Sequence, residues 1–149
     1  MKTILLTDDS EIIREYWRSA LQVDGYLVLL AADGLEALHV FCREAPDLVV
    51  LDICMPRMNG LGALRCFKTI APEIPVILFT AHDDDCLRDH AAELATACVE
   101  KSADRKELSR TIKRAFRSPS PTPGRPENRF TSRIAAGRPP LAGGYIGGQ

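Results

Sequence analysis

The run Leu48-Val49-Val50-Leu51-Asp52-Ile53-Cys54-Met55-Pro56-Arg57-Met58-Asn59-Gly60 decides how the chain is read. Four apolar residues end on a single carboxylate, and Pro56 and Gly60 follow within eight residues. A short apolar run bounded by turn-forming residues reads as a strand buried on both faces, the kind that parallel sheets contain. Such sheets collect their functional groups at the carboxyl ends of the strands, and Asp52 stands at that end. Taken alone, a turn-capping Asp is the plainer reading. What changes this is the number of other polar residues that the chain delivers to the same edge.

Before this strand, Ile4-Leu5-Leu6 ends in Thr7-Asp8-Asp9-Ser10, and a helical pattern follows through Ile12, Ile13, Tyr16, Trp17, Ala20 and Leu21, with Asp9 or Ser10 as its cap. Tyr26 to Ala31 predicts the second strand. Asp33-Gly34 opens a helix with Leu35, Leu38, Phe41 and Cys42 on one face, stopped by Pro46. Beyond Gly60, Leu61, Leu64, Phe67 and Ile70 form a third helical stripe. Val76 to Phe79 is the fourth strand, running into Thr80-Ala81-His82-Asp83. A weaker helix carried by Leu87, Ala91 and Leu94 leads to a fifth strand at Ala97-Cys98-Val99, which ends in Glu100-Lys101-Ser102. A last amphipathic helix runs from Asp104 to Arg117. Five strands alternating with five helices predict an α/β fold, an open parallel sheet covered on both faces.

With 149 residues and a net charge of −1, the chain has room for one domain and an extension, and is not built around a basic nucleic-acid surface. Nothing approaches the roughly 18 apolar residues of a membrane span, and the short apolar start is no signal peptide; a cytoplasmic protein is expected. Five scattered cysteines without a C-x-x-C pair argue against a disulfide framework or a zinc site. Residues 1–117 form the expected domain. In the stretch 118–149, Pro and Gly make up 12 of 32 residues and four Arg face one Glu. This composition predicts a disordered tail.

Side by side, the strand ends carry Asp8 and Asp9, then Asp52, Thr80 and Lys101. Three carboxylates brought together repel unless a cation joins them, and oxygen ligands of this kind suit Mg²⁺. A hydroxyl and an ammonium beside the metal supply donors for a phosphoryl group, which one carboxylate could accept as an acyl phosphate. This ordered set, with Met55-Pro56-Arg57-Met58-Asn59-Gly60 behind Asp52 and Thr80-Ala81 after the fourth strand, resembles the receiver domain of two-component response regulators over about Lys2 to Arg117. The resemblance implies a flavodoxin-like, doubly wound (βα)5 fold. It implies that Asp52 is the phosphoacceptor and that Asp9, Asp52 and the backbone carbonyl of Cys54 ligate Mg²⁺, with Asp8 acting through a metal-bound water. It also implies that Thr80 and Lys101 contact the phosphoryl oxygens. The implied donor is a phosphohistidine on a sensor histidine kinase or histidine phosphotransfer protein, in two-component or phosphorelay signalling.

The sequence departs from the family at Cys98, where an aromatic residue is usual, at Ser102, where proline is usual, and at Leu94, in a region where glycine is common. All three fall on the family's usual output face. No DNA-binding helix-turn-helix follows Arg117, so output through contact with a downstream protein is expected from a stand-alone receiver that is not itself an enzyme. The alternatives are a receiver-fold binding or adaptor domain that does not switch, and a fragment of a longer regulator or hybrid kinase. A haloacid-dehalogenase-like phosphohydrolase would need an acid where Cys54 stands.

Overall fold

The computed structural model describes residues 1–81, 93–102 and 104–117. The chain lays down β1 (Thr3–Thr7), α1 (Glu11–Val23), β2 (Leu27–Ala31), α2 (Gly34–Glu44), β3 (Leu48–Asp52), α3 (Gly60–Ile70), β4 (Val76–Thr80), β5 (Ala97–Glu100) and α4 (Arg105–Arg117). The five strands pair in parallel in the order β2-β1-β3-β4-β5. This is the doubly wound, flavodoxin-like arrangement that the sequence predicts. The order reverses between β1 and β3, the place where open α/β sheets hold their ligands. The predicted fourth helix, at Leu87 and Ala91, and the predicted disordered tail lie outside the described residues. Among the described residues, no helix is long and apolar enough to cross a membrane.

Alternation along the strands divides the core in two. Leu5, Val49, Leu51, Val76 and Leu78 face α2 and α3, where Phe41 and Phe67 stack at 4.5 Å between centroids. Ile4, Leu6, Leu48, Val50, Ile77 and Phe79 face the other way, onto Trp17, Leu21, Leu108 and Ile112. Every residue of β3 and β4 is buried, whereas β2, at the sheet edge, is half-covered. At the far end of the sheet Asp47 grips Thr3 twice. Its amide donates to the Thr3 carbonyl at 2.8 Å, and its carboxylate accepts from the Thr3 amide at 2.7 Å. That grip sets Ile4 opposite Leu48.

Some predicted core residues point outward. Ile12 is 83% exposed and Tyr16 59%, because the sheet-facing side of α1 is filled by Trp17, Ala20 and Leu21. Trp17 meets Phe79 edge-on at 5.3 Å, and Tyr16 is left packed against the outer side of Trp17. Leu35 is exposed for a similar reason. Ala37, Val40 and Phe41 occupy the inner face of α2, and the helical period turns Leu35 away from them. The second strand starts at Leu27 rather than Tyr26, whose ring packs on Phe116 at 5.9 Å. Leu94 is also exposed.

Candidate functional site

Four strand ends build the site. Asp8 follows directly on β1 and is fully buried, while Asp9 is exposed. The turn that carries them is tied down locally: the Ser10 amide donates to Asp8 Oδ1 at 2.9 Å, and Ser10 Oγ caps α1. Arg14, one turn into α1, donates from Nη1 to the Asp8 carbonyl at 2.6 Å. Asp52 ends β3 and is 2% exposed. Carboxylate oxygens of Asp8, Asp9 and Asp52 lie within 4.8 Å of one another. Lys101 comes in from the end of β5, its amide on the Thr80 carbonyl at 2.7 Å. Its Nζ sits 2.7 Å from Asp8 Oδ2 and 3.0 Å from Asp52 Oδ2. The structure thus brings together Asp8, Asp9, Asp52 and Lys101, with Thr80 on the adjacent strand end. The Thr80 hydroxyl donates to the Ala81 carbonyl at 3.1 Å.

The electrostatics follow from this packing. Burial pushes the Asp52 carboxyl up to about 6; the hydrogen bond from Lys101 works against that, and the charge of Asp8 adds to it. For Lys101 burial acts to lower the pKa, but the bonds and charges of Asp8 and Asp52 outweigh it and the value is raised. One ammonium against three carboxylates leaves the cluster negative. Asp8 Oδ2 and Asp52 Oδ2 are buried, and among the described residues the Lys101 ammonium is the one polar group that meets them. Hard carboxylate oxygens around residual negative charge, two of them buried with a single shared ammonium, are a donor set that fits Mg²⁺.

The loop between β3 and α3 closes one side of the site. The Cys54 amide donates to Asp52 Oδ1 at 3.3 Å, and the Gly60 amide turns back onto the Ile53 carbonyl at 2.8 Å. A Cβ on Gly60 would lie 2.0 Å from the Asp52 carbonyl oxygen, so only glycine allows this approach. Gly34, at the start of α2, meets the same loop, where a Cβ would lie 2.3 Å from the Met58 carbonyl oxygen. Asn59 caps α3 through the Gly62 amide at 2.8 Å. Arg57 has φ of 65°, a left-handed backbone that costs an L-residue about 1–2 kcal/mol, and its guanidinium pairs with buried Asp33. Asp33 also caps α2 by accepting from the Glu36 amide at 2.9 Å. Its carboxyl is held below the usual range, first by that bond, against burial, and then by Arg57.

Sequence reading missed Arg14 and the Asp33–Arg57 pair. Asp33 reads as a helix start and Arg57 as one residue of a turn, and nothing along the chain links positions 24 apart. Of the residues that depart from the family pattern, Cys98 is exposed on β5 and the Ser102 hydroxyl donates to Glu100 Oε2 at 3.3 Å. Lys101 reaches both carboxylates with no cis peptide bond among the described residues.

Residues 4–113 match the profile of the response regulator receiver domain. Response regulator MprA of Mycobacterium leprae (strain TN) is 42% identical over 80 residues, 54% of this chain and 35% of that protein, so the chain aligns with about a third of that relative. A response regulator receiver domain protein from Clostridium thermocellum superposes with a TM-score of 0.74 at 32% identity, over 78% of this chain and 95% of that one. The response regulator TrrA from Thermotoga maritima, solved in complex with Mg²⁺-BeF, gives a TM-score of 0.74 at 36% identity, over 77% of this chain and 99% of its own. With the acidic cluster at the sheet's switch point and a family match over most of its length, the chain belongs to the response regulator receiver domain family, the signalling domains of two-component systems.

Proposed function

We propose that this domain takes a phosphoryl group onto Asp52 from a phosphohistidine of a sensor kinase or histidine phosphotransfer protein. The observation that carries the reading is the pairing of two buried carboxylates, Asp8 and Asp52, with Lys101 at 2.7 and 3.0 Å beside exposed Asp9. In this reading Asp9, Asp52 and the Cys54 carbonyl hold Mg²⁺ and Asp8 holds it through water. When bound, the ion neutralises the charge on the entering phosphoryl oxygens.

The chain's own groups do the rest. An Asp52 carboxylate oxygen forms the new bond to phosphorus, and the bond from phosphorus to the donor imidazole nitrogen breaks, its electron pair leaving with the nitrogen. Asp52 acts as a nucleophile only when ionised, and Lys101 favours that form. Lys101 and the Thr80 hydroxyl then serve as donors to the phosphoryl oxygens; for Thr80 this requires giving up its bond to Ala81. Signalling follows through contact with a downstream protein, in the cytoplasm.

Incubation with a small-molecule acyl phosphate and Mg²⁺, followed by intact-mass measurement, is expected to show one added phosphoryl group on the wild type and none on Asp52→Asn. Equal labelling of the variant removes Asp52 from its role. Folded wild type that never labels favours a binding domain that keeps the fold without the chemistry, a reading to which Cys98, exposed where the family has an aromatic ring, also points.

A further inference from the structure

We propose that Arg57 is a positioning residue for the cation site, and that its ion pair with Asp33 fastens the β3–α3 loop, from which the Cys54 carbonyl would reach a cation held by the acidic cluster. The inference rests on the proposed function in one respect, that a divalent cation binds between Asp9, Asp52 and this loop.

Three observations meet at the loop. It is pinned to β3 at its two ends, by the Cys54 amide on Asp52 Oδ1 and by the Gly60 amide on the Ile53 carbonyl. Between those ends, Met55 and Met58 rest on the first core layer and Asn59 caps α3. Two contacts tie the same stretch to α2: Gly34 lies against the Met58 backbone, and Arg57, whose side chain is mostly exposed, pairs with Asp33, the cap of that helix. Asp33 is a firm anchor, being 3% exposed and fixed by the Glu36 amide. Arg57, by contrast, is mostly exposed, with a backbone conformation unfavourable to it. A strained backbone persists where the surroundings over-determine it. Glycine would relieve the strain and arginine does not, so the pair with Asp33 is what offsets it here.

Groups that orient metal ligands are worth about 10–100-fold in metal affinity, and the exposure of Arg57 puts it at the lower end. Mg²⁺ titration by calorimetry is therefore expected to show about tenfold weaker binding for Arg57→Gly and for Asp33→Asn. The first variant removes the pair without adding strain, and the second keeps the helix-capping oxygen. The double variant should be no weaker than either alone, because both changes remove one interaction, and Arg57→Lys should recover part of the affinity. A metal-free readout accompanies this: in EDTA, amide hydrogen exchange over 54–59 should quicken in Arg57→Gly while the melting temperature stays close to that of wild type. Lower melting with unchanged Mg²⁺ affinity would make the pair merely structural and overturn the inference alone. Wild type that binds no Mg²⁺ overturns the proposed function and this inference together.

Discussion

Asp52 carries a charge that the fold holds at a cost. The folded domain protonates it at about 6, the unfolded chain near 3.8. A carboxyl whose pKa is raised by folding behaves inversely to a salt-bridged one. Between those two values the folded state binds the extra proton, so stability falls as pH rises through that window and stays reduced above it. At about 1.4 kcal/mol per pH unit, the ionised form costs the metal-free fold about 3 kcal/mol, as an order of magnitude. The raised pKa of Lys101 acts elsewhere: its contribution is intact below 10.5 and is lost as pH climbs beyond that. Urea unfolding in EDTA should therefore find Asp52→Asn more stable than wild type at pH 7, by about 1–3 kcal/mol. The gain should fade toward pH 4, and saturating Mg²⁺ should shrink it by stabilising the wild type. A variant that is less stable than wild type at pH 7, by a margin independent of pH, would contradict this account of the site.

Among the elements, the β3–α3 connection is the least forgiving. Gly60→Ala places a methyl group inside the Asp52 carbonyl, against backbone that cannot move without shifting the end of β3. Overpacking of this kind costs about 1–3 kcal/mol and sometimes more, and thermal melting should show it together with weaker Mg²⁺ binding. Gly62→Ala, where a Cβ would meet Met58 Cγ at 3.4 Å, is the control and should be nearly silent. The elements also show how far sequence reaches. The unbroken apolar runs of β3 and β4 announced themselves because both of their faces are covered, and Pro46 marked where α2 stops. The inner faces of α1 and α2 were harder. Ile12, Tyr16 and Leu35 fit a helical stripe as well as their buried neighbours do, and only the width of the sheet contact excludes them. The residues at the strand ends were legible one by one as strand-end polar groups, and the alternating topology placed them together. Arg14, Asp33 and Arg57 act through contacts to backbone or between loops, which leave no periodic trace.

For the molecule as a whole, the question is where the folded body ends. Leu108, Ile112 and Ala115 of α4 close the second core layer, and Arg105 donates to the Ala20 carbonyl and to Asp24 of the α1 end. Phe116 lies against Tyr26 with Lys2 over its ring. Among the described residues, α4 is the last element to cover the second layer, and we propose that the domain spans residues 1–117. Removing 118–149 should leave cooperative unfolding intact and move the melting temperature by no more than about 4 °C, the equivalent of about 1 kcal/mol or less for a domain of this size. A larger drop would show that the tail packs on the body.

The two hydrogen bonds between Asp47 and Thr3 act as the zero mark of a ruler. Asp52 stands five residues along it, roughly 17 Å away at 3.3 Å per residue, and the carboxylate reaches Asp8 only if the count is right. β3 is apolar on both faces, so its neighbours would accept the strand in either phase. The count, rather than hydrophobicity, therefore decides which way residue 52 looks. Additions to the molecule are consequently unequal. Extra residues can lengthen a connection at the Asp47 end of the sheet and leave the chemistry untouched. A single residue inserted between Asp47 and Asp52 would turn the carboxylate toward a helix, giving a protein that folds and has nothing to say.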